Sequence, residues 1–207
     1  TNCIKAKIDK QGGSLMCRLC GSKEETVDHL ASSCSKIAQT DYKARHDKVA
    51  ANLHWSLCKQ FGFNRTDKWW EHRAEKALEN DEFKLLWDYD IQVDRQIKER
   101  RPDLIVVNKK LKEAWLVDVA VPGDSRVGSK EVEKQIKYRD LAIEVQRLWE
   151  LKKVKVIPIV IGALGAVPVG LKKHLKEMKI DDVTFEQLQK AAVLGTAFIL
   201  RRYLGVG

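Results

Sequence analysis

The stretch "RPDLIVVNKKLKEAWLVDVAVP", residues 101–122, contains two apolar runs on either side of a lysine-rich turn. The runs at 101–108 and 113–121 are rich in Val, Leu and Ile, which is typical of strands covered on both faces. An even-length turn at residues 109–112 would pair them as a hairpin. The stretch therefore predicts a sheet flanked by helices, that is, an α/β fold.

Each run also carries one aspartate, where a buried strand should avoid charge. In such a hairpin Asp103 and Asp118 come directly opposite each other, with Cβ atoms about 4.5–5.5 Å apart. Carboxylates that close raise one pKa unless a cation lies between them, and Mg(II) suits carboxylate oxygens. The spacing alone supports a second interpretation equally well, in which Asp103 caps the strand and Asp118 faces solvent at an edge.

A second motif lies near the N-terminus, where "CRLCGSKEETVDHLASSC" has the spacing C-x2-C-x8-H-x4-C. Two thiolates on a turn, with a histidine and a cysteine from a short helix, form a tetrahedral zinc shell. Four protein ligands leave no position for water, so the predicted zinc is structural. The alternative is a set of free cysteines near an unrelated histidine. The predicted ligands are Cys17, Cys20, His29 and Cys34.

The rest of the chain alternates helical and strand patterns. Apolar residues at helical spacing predict a helix at 41–61, and "KWWEHRAEKALEN" predicts a second helix that contains Glu75. The remaining expected elements are a strand within 83–93, a helix at 128–152, a strand at 154–162, and helices at 168–178 and 184–203. We predict three parts: a zinc module at 1–40, a connecting helix at 41–66, and a main domain at 67–207.

The net charge of the chain indicates what kind of partner it binds. The 38 Lys and Arg residues outweigh 29 Asp and Glu residues, which gives a net charge of +9 in 207 residues. Such an excess favours an acidic partner, of which nucleic acid is the commonest. The one long uncharged stretch, at 156–171, is too short and too rich in Gly and Pro to span a membrane. Because the sequence begins at Thr1, we expect it to be a piece of a longer chain.

The motifs together resemble a known family. "RPD" followed by an aspartate on the next strand resembles the PD-(D/E)xK nuclease core, as does the predicted order of helix, three strands, helix and strand. More narrowly, the chain resembles the restriction-like endonuclease of non-LTR retrotransposons (LINEs). The shared features are the preceding CCHC zinc motif, "RPD", "DVAVP", "EKQIKY", a strand like "VIPIVIGALGAVP" and an end helix like "TAFILRRYL".

The resemblance implies a Mg- or Mn-dependent DNA endonuclease in which Asp103 and Asp118 hold the metal. The usual lysine two residues after the second acid is replaced by Ala120. In the resembled endonucleases the lysine comes from the following helix, where Lys134 and Lys137 are the candidates. Residues expected to contact DNA include the basic clusters around Arg101, at the Lys109–Lys112 turn, and, within "EKQIKY", Tyr138. The named candidates are Arg101, Lys109, Lys110 and Tyr138.

The implied role is to nick double-stranded target DNA in the nucleus, leaving a 3′ hydroxyl that primes reverse transcription. The implied partners are that DNA, the reverse transcriptase domain of the same polyprotein and, as a further candidate, the RNA of the element; no membrane partner is expected. Two rivals stay open. One is a domesticated nuclease fold that has lost activity and acts as a DNA-binding adaptor. The other is a structure-selective junction nuclease acting as a symmetric dimer.

Overall fold

The computed structural model describes residues 1–10 and 13–205. Within them the fold is mixed α/β, as predicted, with one five-stranded sheet. The strands lie in the order β1-β2-β3-β4-β5, and all neighbours are antiparallel except β4 and β5, which are parallel. The strand bounds are Ala77–Glu79 (β1), Phe83–Trp87 (β2), Leu104–Asn108 (β3), Glu113–Ala120 (β4) and Lys153–Val160 (β5).

The described residues form six α-helices, of which α1 contacts the cysteine-rich segment, and a π-helical turn at His29–Ser33 belongs to that segment. The helix bounds are Asn2–Lys7 (α1), Lys43–Phe61 (α2), Val127–Lys137 (α3), Arg139–Leu148 (α4), Leu171–Glu177 (α5) and Asp182–Leu204 (α6). Within the described ranges, no helix is both long and apolar enough to cross a bilayer.

Alternation along the strands creates two apolar cores, one on each face of the sheet. Leu104 and Val106 of β3 belong to the core shared with α2, α5 and α6. Ile105 and Val107 belong to the core shared with α4. Because side chains alternate with a period of two, the sheet is buried on both sides. This burial explains why β3 to β5 read as nearly continuous apolar runs.

The region after α2 differs from the prediction. The helix expected over "KWWEHRAEKALEN" is wrong: the segment forms a 3-10 turn at Trp69–Glu71 and then β1. Pairing of β1 with β2 supplies backbone hydrogen bonds that outweigh the helical propensity of Ala, Glu and Lys. Glu75 therefore lies in an exposed segment before β1 and not on a helix.

The helix predicted at 128–152 is divided in two. Tyr138, with φ −106° and ψ 11°, separates α3 from α4. Its side chain is 1% exposed and its hydroxyl donates to the Arg101 carbonyl at 3.0 Å. The break lets the ring enter the core while α3 reaches the end of β4.

The cysteine-rich segment packs on the C-terminal half of α6. Leu30, Cys34 and Ile37 form a small apolar cluster with Ile199. Helix α2 packs in the main core, with Leu53 and Leu57 fully buried against the sheet. The division at residues 40 and 66 stays a prediction, and residues 206–207 of the predicted last domain lie outside the described ranges.

Candidate functional site

The two aspartates meet at one end of the sheet. The last pair of the β3–β4 ladder is Leu104 with Val117, so the next pair outward is Asp103 with Asp118. The backbone N–H of Val119 donates to Asp103 Oδ2 at 2.6 Å, which fixes that carboxylate against β4. Asp118 is 2% exposed and lies on the sheet face that α3 and α4 cover.

Two lysines from α3 reach the same place. The Lys134 ammonium contacts Asp118 Oδ2. Lys137 Nζ is 3.9 Å from Asp118 Oδ1, 3.3 Å from Glu99 Oε2 and 2.9 Å from the Tyr138 hydroxyl. One turn of α3 therefore directs both predicted lysines to Asp118, and Lys134 is the closer and less exposed of the two.

The electrostatics of the pair follow from burial. Burial raises the pKa of Asp118, and the negative charge of Asp103 raises it further, whereas Lys134 and Lys137 oppose the shift. The Lys134 ammonium lies within hydrogen-bonding distance of Asp118 Oδ2 and forms a close ion pair with it. A divalent cation between the two acids would stabilise the ionised carboxylate further.

His46 is a site residue that the sequence interpretation missed. It lies on α2, and its Nε2 is 3.2 Å from Asp103 Oδ2, while its Nδ1 is 3.0 Å from Asp47 Oδ1. Burial alone would lower the pKa of His46, but Asp103 and Asp47 outweigh it and raise the pKa to about 9. The available signal was helical spacing, since His46 precedes Val49 by three residues and Leu53 by seven and so shares the apolar face.

The predicted DNA-contacting residues are divided between the two ends of the sheet. Arg101 is exposed beside the aspartates, and its guanidinium pairs with Asp88 at 2.5 Å. Lys109 and Lys110 are exposed on the β3–β4 turn, where they pair with Glu79 and Glu82. The five residues of β3 separate the turn from Asp103 by about 17 Å.

Tyr138 does not fit the predicted role in DNA contact. Its ring is inside the α4 core, and its hydroxyl links Arg101 to Lys137. Burial and the nearby Asp118 raise the pKa of this hydroxyl, so it stays protonated at neutral pH. Tyr138 therefore positions neighbouring groups and presents no aromatic face to a ligand.

The four predicted zinc ligands form a cluster that could hold a metal ion such as zinc. Their ligand atoms all lie within 4.8 Å of one another. Cys17 Sγ is 3.9 Å from Cys34 Sγ, and Cys20 Sγ is 3.3 Å from His29 Nε2. Ligands on a tetrahedral zinc ion are separated by about 3.3–3.8 Å, given bonds of about 2.0–2.3 Å. The cluster therefore fits zinc with little movement.

Local structure explains how the cluster forms. Gly21, at φ +65°, closes a turn in which its N–H donates to the Cys17 carbonyl at 2.8 Å. The Ser33 hydroxyl lies 3.4 Å from His29 Nδ1 and can orient the imidazole. Burial raises the pKa of Cys34 to about 11, so a metal ion is what would hold this sulfur as a thiolate.

Comparisons with known proteins provide no further guide to the site. No family model matches the chain, and no curated protein sequence matches it. The chemistry of the site is therefore argued from its geometry.

Proposed function

We propose that the chain is a metal-dependent DNA endonuclease with a PD-(D/E)xK core. The observation that carries the proposal is the pairing of Asp103 with the buried Asp118, with the Lys134 ammonium at the second carboxylate. Two acids on adjacent strands and a lysine are the groups that metal-assisted phosphodiester hydrolysis requires. The element order supports the same core: α2, then β2 to β4, then the α3–α4 crossover, then the parallel β5.

The residues present fit a hard divalent cation. Asp103 and Asp118 lie opposite each other and offer carboxylate oxygens, which Mg(II) and Mn(II) prefer. The ion, when bound, would lower the pKa of a coordinated water and stabilise charge on the phosphate. Asp103 is held by the Val119 N–H, so its oxygen is oriented in advance.

The protein's own cations complete the proposed site. Lys134 would orient the attacking water or neutralise a phosphate oxygen, and Lys137 would hold Glu99 and Tyr138 beside it. His46 pairs with Asp103 and helps to hold that carboxylate in place. Arg101, exposed next to Asp103, is placed to contact the DNA backbone, where such contacts make affinity salt-dependent.

The wider role is also a proposal. The net charge of +9 and the zinc cluster suit a protein that works on nucleic acid. We propose that the nick in target DNA primes reverse transcription of a non-LTR retrotransposon in the nucleus, with the reverse transcriptase of the same polyprotein and the element RNA as partners.

One observation favours the adaptor alternative. Both acids already have a protein cation, since His46 pairs with Asp103 and Lys134 pairs with Asp118. A nuclease fold that had lost its metal could keep these ion pairs and still bind DNA. Cleavage of DNA distinguishes the two functions directly.

The test is nicking of supercoiled plasmid in the presence of Mg(II) or Mn(II). We expect Asp103→Asn and Asp118→Asn each to reduce nicking by at least about 100-fold while DNA binding is retained, because the metal ligands are lost. Asp140→Asn, an exposed acid on α4, is the matched control. Binding without nicking by the unaltered chain would favour the adaptor, and full activity in both site variants would remove the assignment.

A further inference from the structure

A second cluster of metal-binding side chains lies at the other end of α2 from His46. His54 and Cys58 are one helical turn apart on α2, and His72 approaches them from the segment before β1. His54 Nδ1 is 2.7 Å from His72 Nε2, and Cys58 Sγ is 3.5 Å from His54 Nδ1. The three ligand atoms lie within 4.8 Å of one another.

The environment of the cluster is unusual for polar groups. His54 and Cys58 are both 0% exposed, and the edge of the Trp87 ring system packs against His54 with ring centroids 5.6 Å apart. His54 faces Cys58 and His72 with Nδ1, which is therefore its ligand atom, and among the described residues Nε2 on the other side of the ring has no hydrogen-bond partner. The observation that supports a metal ion is the convergence of three donor atoms within 4.8 Å at a place where two of the three residues are fully buried. Buried polar groups need a compensating interaction, and a metal ion would provide it for these three atoms.

We infer that His54, Cys58 and His72 bind one zinc ion, at a site separate from the four-ligand cluster. Two imidazoles and one thiolate form a donor set that selects zinc over magnesium. The Cys58–His54 distance already matches two ligands of a tetrahedral ion. The two imidazole nitrogens need to separate from 2.7 Å to about 3.3 Å, and the half-buried His72 can move because it lies on a loop.

The charge state of the imidazoles suits this role. Burial lowers the pKa of His54 to about 3 and also lowers that of His72. Both rings are therefore neutral at physiological pH, which is the form that binds a metal. Binding would release one proton, from the Cys58 thiol.

Three protein ligands leave a fourth position on the ion. The exposed Glu75 lies near enough for its charge to act on both residues: it adds to the effect of burial in raising the pKa of Cys58, and it opposes the lowering of the pKa of His72 by burial. Water or this carboxylate would complete the shell. The ion would fasten the segment from residue 63 to 76 onto α2, and so stabilise the start of β1.

The experiment is a zinc count on the purified full chain after exhaustive dialysis. We expect close to two zinc ions per chain, falling to close to one in His72→Ala. His174→Ala is the matched control, because His174 is also half-buried and faces Glu131 away from both clusters. It should keep both ions.

A spectroscopic measurement distinguishes the loss of one metal centre from the unfolding of a variant. In the Co(II)-substituted chain, His72→Ala should remove the ligand-field bands of one tetrahedral centre, and Cys58→Ser should also remove one thiolate-to-metal charge-transfer contribution. One zinc per chain before any substitution would overturn the inference. Retention of both ions in His72→Ala, or copper in place of the second zinc, would overturn it as well.

Discussion

At the scale of single residues, the buried Asp118 is the most constrained group of the candidate site. A carboxylate with 2% exposure is costly unless a cation pairs with it, and Lys134 is that cation. Lys137 divides its charge between Asp118 and Glu99 and is more exposed. The sequence does not distinguish the two lysines as candidates for the catalytic role. Their contacts in the structure therefore give them different expected roles.

Substitution of each lysine distinguishes the roles of Lys134 and Lys137. We expect Lys134→Gln to reduce nicking by about 100-fold or more, the magnitude typical of losing one charge-stabilising donor. Lys137→Gln should cost less than about 10-fold, because its ammonium is 3.9 Å from the carboxylate. Single-turnover rates on supercoiled plasmid measure both, with Lys130→Gln on the same helix as the control. Equal losses in the two variants would contradict the assignment of Lys134.

The sequence predicts those site residues that are close together in the chain or that the pairing of two neighbouring strands places opposite each other. Asp103 and Asp118 follow from the even spacing of one hairpin, and the four zinc ligands follow from a motif within eighteen residues. His46 and His72 could not be placed in this way. Their contacts cross 57 and 18 residues of chain and depend on how α2 packs on the sheet.

At the scale of elements, one buried arginine connects three parts of the fold. Arg45 of α2 donates to the carbonyls of Ala31 at 2.7 Å and Val121 at 3.2 Å, and to the hydroxyl of Thr196 at 2.6 Å. Burial lowers its pKa. The close passage of its side chain requires a glycine on α6, since a Cβ at Gly195 would lie 2.6 Å from Arg45 Cγ.

This contact predicts the effect of Gly195→Ala. Helix propensity alone would stabilise the protein by about 1 kcal/mol. We expect the opposite sign, a loss of about 1–3 kcal/mol, because the pinned Arg45 cannot withdraw from the added methyl group. Gly128→Ala in α3, where a Cβ would meet nothing within 4 Å, should be neutral or stabilising. Urea unfolding of both variants measures the difference, and a stabilised Gly195→Ala would show that Arg45 is free to move.

Periodicity predicted the elements in which burial and propensity agree. Helices α2 and α6 and strands β3 to β5 fall in this class, because one pattern specifies both their geometry and their buried face. Two predictions from periodicity were wrong because tertiary contacts override the local sequence pattern. Helical composition at residues 68–80 is overridden by pairing with β2, and the break at Tyr138 comes from a hydroxyl that bonds 37 residues away.

At the scale of the whole molecule, we expect zinc to affect folding and Mg(II) to affect DNA cleavage. Zinc at the four-ligand cluster would stabilise a segment with little core of its own, whereas Mg(II) would bind at a preformed end of the sheet. Metal-binding free energy is folding free energy in the first case. Loss of Mg(II) should stop DNA cleavage without changing the fold.

Selective chelation tests this separation. A nitrogen-donor chelator that removes zinc in the presence of magnesium should lower Tm by at least about 5 °C, since each kcal/mol shifts Tm by about 2–4 °C at this size. Removing magnesium alone should abolish nicking and leave Tm nearly unchanged. Thermal scans and plasmid assays on the same samples measure both effects, and the same scan on His72→Ala separates the two zinc sites. An unchanged Tm after zinc removal would contradict the structural role.

The position of Arg45 also restricts how the chain can be shortened. A truncated form that began after the cysteine-rich segment would lack the Ala31 carbonyl, yet would still carry the guanidinium of Arg45, a residue that is 2% exposed in the intact chain. Of the described residues that would remain, the hydrogen-bond acceptors of this charge are one hydroxyl and one carbonyl, and none is a carboxylate. The cysteine-rich segment therefore helps to compensate a buried charge in the part of the chain that contains the sheet, and fragments without it would carry that charge with fewer hydrogen-bond acceptors.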